Sequence, residues 1–546
     1  MRHKKNKMAN INAYNGVLDQ RLASHLLRRG SYHYSKSRIN ELTGLTASAA
    51  VANLFQDYTL SLEQPINPDT NDVWINGGTP TTNNQGKYRD IIVSWWMDEA
   101  RQNQGIQHKL EFFLHTIFTI NHNFVNRSEN LYDYLSFNRF YALGNFKDYA
   151  FKITKSNAML LYLDNTDNEA LNPNENYARE FLELFTIGKG SQVGEGDYTN
   201  YTELDVQMAA KVLTGFKTKL DRTIIDTDTS IPIGRVSYNK HDQDDKTFSH
   251  RFQNQTITAA VNAADMDREL QDMITMIFNQ EETARFFCRR LYRYFVNTVI
   301  DAEIESDIIA PLAQEFISQN FEIQPIVEML LKSEHFYDLD DIESADNNIG
   351  ALITSPMEQM LRTITYFNLE VPDQTTDTER FDRFYRRFVQ QTYCELSGME
   401  VFAPTTVAGY EAYYQEPNFT KNWFNSSNII ARYKLGEMFI TGLRLLESGN
   451  NGYVYANMVD FVENTITDAS DAVLLVEELT THLLPEAIDA DRMNYFLNDV
   501  FLDGLSPINW QVEWNNYLNS GDNSDVEIPL NRLYQTLMYC QEYQSF

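Results

Sequence analysis

Apolar residues recur three and four positions apart along most of this chain, the spacing of one buried face of an α-helix. "LASHLLRRG", "INELTGLTASAAVANLF", "HKLEFFLHTIFTI", "ARFFCRRLYRYFV" and "IQPIVEMLLKSEHF" all carry it. Only 14 Pro and 23 Gly interrupt 546 residues, which suits long helices joined by short loops. The exception runs from Leu220 to Phe252, where "RTIIDTDTSIPIGRVSYNKHDQDDKTF" sets short β-branched runs between turn residues. The pattern predicts an all-α, large multi-helix globular fold with one small β-hairpin-like insertion near 220–252. Pro65 to Gly86 and Ala403 to Ser427 read as loops. The expected organisation is a helical region over 1–220, an irregular insertion over 221–254 and a helical region over 255–546. The two helical regions are either separate or one continuous domain.

Composition narrows the function classes. A hydrophobic content of 43% sustains a large core. The net charge of −31 lacks the basic stripe that nucleic-acid binding needs. Cys288, Cys394 and Cys540 are far apart and odd in number, so no disulfide framework is implied and each is expected in the core. No run of about 18 apolar residues marks a transmembrane helix. The N-terminal "MRHKKNKMANINAYNG" is basic but has no apolar signal-peptide region. The reading is a cytoplasmic protein, or an exported one whose signal the given chain lacks.

The stretch "NPNENYARE FLELFTIGKG" holds the densest candidate chemistry. Asn174 is the expected N-cap, and Gly188 and Gly190 stand where glycine ends a helix. Glu175, Arg179 and Glu183 are spaced by four, so Arg179 is placed to bridge both carboxylates. Glu180 and Glu183 are three apart and also neighbours. Tyr177, Phe181, Leu184 and Phe185 make much of the remaining circumference apolar, which predicts deep packing. Two readings stay open: a buried ion-pair network, or a carboxylate pair acting as metal ligands or acid–base groups.

This stretch continues into "YTELDVQMAAKVLTGF", and together they resemble the signature of the bacterial domain-of-unknown-function family 1800. "ASHLLRRGSYHYSKSRINELTGLTASAAVANLF", "HDQDDKTF", "SPMEQMLRTI", "FAPTTVAGYEAYYQEPNFTKNWF" and the closing "LYQTLMYCQEYQSF" resemble further elements of it in order. The resemblance implies a large helical protein of unestablished activity. It also implies association with a sulfatase-like partner of the family numbered 1501. Members typically read Phe-Trp-His-x-His-Phe where this chain reads "FFLHTIF". His115 takes the first histidine position and Ile117 replaces the second, while His122 lies about two turns further on.

Two hypotheses follow. The first is an enzyme, hydrolytic or oxidative, whose site joins Arg179, Glu180, Glu183 and His115. His115, Glu175, Glu180, Glu183, His241 and Asp242 are its candidate ligands for a divalent metal. It expects His115 and at least one of Glu175, Glu180 or Glu183 on a shared polar cavity, with the His241–Lys246 loop at the rim. The second is a binding or assembly protein that uses the aromatic loop Gly409 to Phe424, with Tyr410, Tyr413, Tyr414 and Trp423. Arg28 and Arg29, with His33, end a helix as dipole-complementing residues or as an anion site. His335 is expected to pack or to cap a helix.

Overall fold

The computed structural model describes residues 9–56, 58–76, 84–340, 347–445 and 453–546. Helix accounts for 57% of the chain, well above the third or so typical of globular proteins. The strands are short antiparallel pairs, so the all-α expectation holds. The expected insertion over 220–252 is matched only in part: strand pairs straddle its two ends, and others, Gln192–Gly194 with Asp197–Tyr198 and Leu443–Arg444 with Tyr453–Val454, lie away from it. Phe216–Lys217 pairs with Arg235–Val236, and Lys246–Thr247 pairs with Thr256–Ile257. The Pro65 to Gly86 stretch contributes another pair, Ile66–Asn67 with Asp72–Val73, and its residues 77–83 lie outside the described set. Among the described residues no helix is long and apolar enough to cross a membrane.

The helices Gln85–Gln102, Gln107–Ile117 and Ser128–Tyr141 pack together beneath the candidate sites. Every residue of Gln107–Ile117 is buried, polar ones included. Its carboxylate Glu111 therefore needs partners. The Trp96 indole donates to Glu111 Oε2 at 2.8 Å, and the Arg139 guanidinium pairs with the same carboxylate. Phe112 and Phe118 carry the aromatic packing outward. Phe118 meets Phe185 at 4.7 Å and Phe181 at 6.2 Å between ring centroids, which seats the signature segment on the end of this helix.

Candidate functional site

The signature segment is α-helical over Asn176–Glu180 and then widens into a π-helix over Phe181–Thr186. It starts one residue later than expected: Glu175 is the N-cap, and the Asn174 side chain accepts from Asn176 N at 3.0 Å. The Thr186 hydroxyl donates to the Phe181 carbonyl at 2.6 Å, five residues back. Gly188 follows at φ 74°, and a Cβ there would stand 2.6 Å from the Phe286 ring. Glycine is required at that position on both counts.

The π turn corrects the expected ladder. An i+5 turn displaces residues that an α-helix would stack at i+4. Arg179 keeps Glu175 at 3.0 Å, but its other partner is Glu203, at 2.7 and 2.8 Å, and not Glu183. Glu183 turns instead to the Lys189 ammonium at 3.1 Å and the Tyr201 hydroxyl at 2.8 Å. The expected burial holds for one face only. Tyr177, Phe181, Leu182 and Phe185 are buried, while Arg179, Glu180 and Glu183 are half-buried.

Glu180 is the outlier of the group. Among the described residues no hydrogen bond reaches its carboxyl. Burial, and then the charge of Glu183, raise its pKa to about 7 against the opposing Arg179 and Lys189. Beside it, burial and then the Glu180 charge push the Tyr162 hydroxyl up to about 12. The Tyr162 hydroxyl reaches the carbonyl of Thr406 at 3.4 Å, so the loop after Ala403 borders this face.

Arg290 ties the segment down, and the sequence reading missed it. Its guanidinium donates to the Leu184 carbonyl at 3.1 Å and to the Thr116 carbonyl. It thus serves the open carbonyls of the π-helix and of the Gln107–Ile117 helix together. Burial, and then Arg293, lower its pKa to about 10.

His115 does not join the carboxylates. It is wholly buried against the rings of Phe112, Phe402, Tyr134 and Tyr410. The Tyr134 hydroxyl donates to the Phe118 carbonyl at 2.7 Å, so it accepts from His115 Nδ1 at 2.9 Å. Nε2 has no partner among the described residues, and burial, then His122, hold the imidazole down at about 3. His122 is also buried, with Nε2 3.9 Å from Glu400 Oε1.

The His241–Lys246 loop buries its two ends in a knot, His241 and Asp242 at one and Lys246 at the other, while Gln243, Asp244 and Asp245 are exposed. Gly215, at φ 78°, lets its turn approach closely, since a Cβ would meet Ser237 O at 2.7 Å and His241 N at 3.1 Å. The carbonyl of the adjacent Thr214 then accepts from His241 Nδ1 at 2.8 Å. His241 Nε2 faces Glu269 Oε2 at 3.0 Å, and the Lys246 ammonium faces Glu269 Oε1 at 2.7 Å. Asp242 lies 3.4 Å from that ammonium. Glu269 was not anticipated, and it completes the network.

The proposed metal set is therefore not assembled. His115 stands in one cluster, Glu175, Glu180 and Glu183 on the signature segment in another, and His241 with Asp242 in a third. Among the described residues no group of three or more His, Cys, Asp or Glu is arranged to hold an ion. The cause is packing: each imidazole is enclosed by its own neighbours before it can turn toward the signature carboxylates.

Other candidates resolve as follows. Tyr410 and Trp423 are buried, and Tyr413 packs on Tyr294 at 5.6 Å. The aromatic loop thus belongs largely to the core. Tyr410 and Trp423 edge a cleft of about 400 Å³ that also meets Glu395, Glu400 and Glu411, but neither Glu180 nor Glu183. His335 is buried between Asp340, 2.7 Å from Nδ1, and the Tyr292 hydroxyl, 2.9 Å from Nε2. Cys288 and Cys394 are buried and Cys540 half-buried.

The model of a family described as "Protein of unknown function (DUF1800)" matches residues 25–522. No curated protein and no solved structure matches the chain.

Proposed function

The chain belongs to the DUF1800 family, whose description assigns no activity, and we propose from the signature segment that it is a general acid–base enzyme of hydrolytic type. One observation carries the reading. Two carboxylates, Glu180 at the last α-helical position and Glu183 in the π-helix that follows, stand on a half-open face, and their surroundings differ. Glu183 is anchored by Lys189 and Tyr201, whereas Glu180 has no hydrogen-bond partner among the described residues. Unequal environments are how neighbouring carboxyls take separate acid and base roles. In this reading the Glu180 carboxyl delivers a proton to the oxygen of a leaving group. The anchored Glu183 carboxylate receives one from water. Arg179, fixed between Glu175 and Glu203, positions the start of the segment. π turns frequently mark functional sites, which supports the placement.

The test is hydrolysis of nitrophenyl esters and nitrophenyl glycosides by the wild type, Glu180→Gln and Glu183→Gln. The expected result is turnover that falls by about 10²–10⁴-fold in Glu180→Gln, the usual contribution of a positioned acid. The pH profile should lose its limb near 7. Equal turnover and an unchanged profile in Glu180→Gln would remove Glu180 from the chemistry. So would the absence of any turnover across the panel.

A further inference from the structure

The buried centre of the protein holds more positive charge than its carboxylates balance. Lys109, Arg29, Arg362 and Arg432 are 1%, 1%, 6% and 0% exposed. They come from distant helices, and Glu358 acts on all of them electrostatically. Among the described residues Glu358 is ion-paired to Lys109 alone, at 2.5 Å. Among the described residues the three guanidiniums form no ion pair. Asp338, half-buried, is the other carboxylate whose charge reaches Arg29.

Backbone and amide oxygens take only part of the donor capacity. Arg29 donates to Asn348 O at 2.7 Å, and Arg362 to Tyr543 O at 3.0 Å. Arg432 donates to Thr354 O at 2.9 Å and to the Gln544 side chain at 3.0 Å. Among the described residues four nitrogens are left buried with no partner: Arg29 Nε and Nη1, Arg362 Nη1 and Arg432 Nη1. Native interiors pair such donors with protein groups, ordered water or a bound ligand, so these guanidinium atoms have donor capacity open to a further acceptor. Guanidinium forks match the oxygens of phosphate and sulfate.

We propose that Arg29, Arg362 and Arg432, with Lys109, form a buried binding site for a small inorganic oxyanion, phosphate or sulfate. The closing segment Tyr543–Phe546 covers it. The Tyr543 carbonyl and the Gln544 side chain hold two of the arginines, and the Phe546 ring lies 4.6 Å from the Arg29 guanidinium carbon and 5.3 Å from the Lys109 ammonium. Three of the stretches that carry the family resemblance meet here: "LLRRG", "SPMEQMLRTI" and the closing "QEYQSF". The site is separate from the Glu180 face and does not depend on its chemistry.

Equilibrium dialysis of the full chain against phosphate and against sulfate, at constant chloride, tests this. The expected result is saturable uptake of one anion per chain. Arg432→Gln should weaken it by roughly tenfold or more, the worth of one hydrogen bond to a charged group. Should that variant not fold, wild-type crystals grown in selenate provide the second measurement. Anomalous density between Arg362 and Arg432 supports the site. No saturable uptake, uptake unchanged by Arg432→Gln, or selenate located only elsewhere would overturn it, leaving ordered water as the partner of these nitrogens.

Discussion

The signature segment and the His241 knot both set carboxylates against basic side chains and differ in how completely each charge is answered. In the knot, Glu269 lies between Lys246 and His241, all three are fully buried, and Glu269 also accepts from Ala260 N at 2.7 Å. In the signature segment the charges are half-open, and Glu180 is left without a hydrogen bond among the described residues. A closed network fixes the position of an insertion against the helices. An open one keeps a titratable group available to a ligand. The comparison therefore assigns structure to the first and chemistry to the second.

The largest effect is expected in the knot. Glu269→Ala strips Lys246 and His241 of their shared carboxylate and should cost about 3–5 kcal/mol, as for other broken buried pairs. Urea denaturation checks it, and a loss below about 1 kcal/mol would put the two regions on the same footing. A smaller effect, of opposite sign, is expected at Glu180. Its folded pKa of about 7 lies above the unfolded value of about 4.3. Between these values the folded state binds more protons, so stability falls as pH rises through that window. Glu180→Gln should therefore melt higher than the wild type at pH 8 and level with it at pH 4, as calorimetry would record. The smallest effect belongs to Arg179→Ala. Its side chain is 32% exposed and its partners Glu175 and Glu203 are 39% and 36% exposed, so the loss should be about 1 kcal/mol or less. A much larger loss in thermal denaturation would mean that this face is closed as well.

What was legible in the sequence followed local spacing. The helical fold came from the three-and-four period, part of the insertion from its β-branched runs, the Arg179–Glu175 pair from the interval of four, and Gly188 from its place after the apolar run. The rest was set by distant packing. Nothing near Glu183 indicates the π turn that takes it from Arg179 to Lys189 and Tyr201. Glu203, Glu269 and Arg290 reach their partners across 24, 28 and 106 positions, with no local pattern to mark them. The expected meeting of His115 with the signature carboxylates failed for the same reason. An imidazole enclosed by four aromatic rings and bonded to Tyr134 reads in sequence like any histidine on a helix.

The central claim is that Glu180 carries a proton near neutrality while its neighbours on the segment are held by partners. Infrared titration of the full chain, with Glu180→Gln as the reference, measures it directly. The account predicts a protonated-carboxyl band that disappears with a midpoint near 7 and is missing from Glu180→Gln. A wild-type spectrum identical to that of the variant from pH 5.5 to 8, with the Glu180 carboxyl already ionised near the ordinary value of about 4.3, would contradict it.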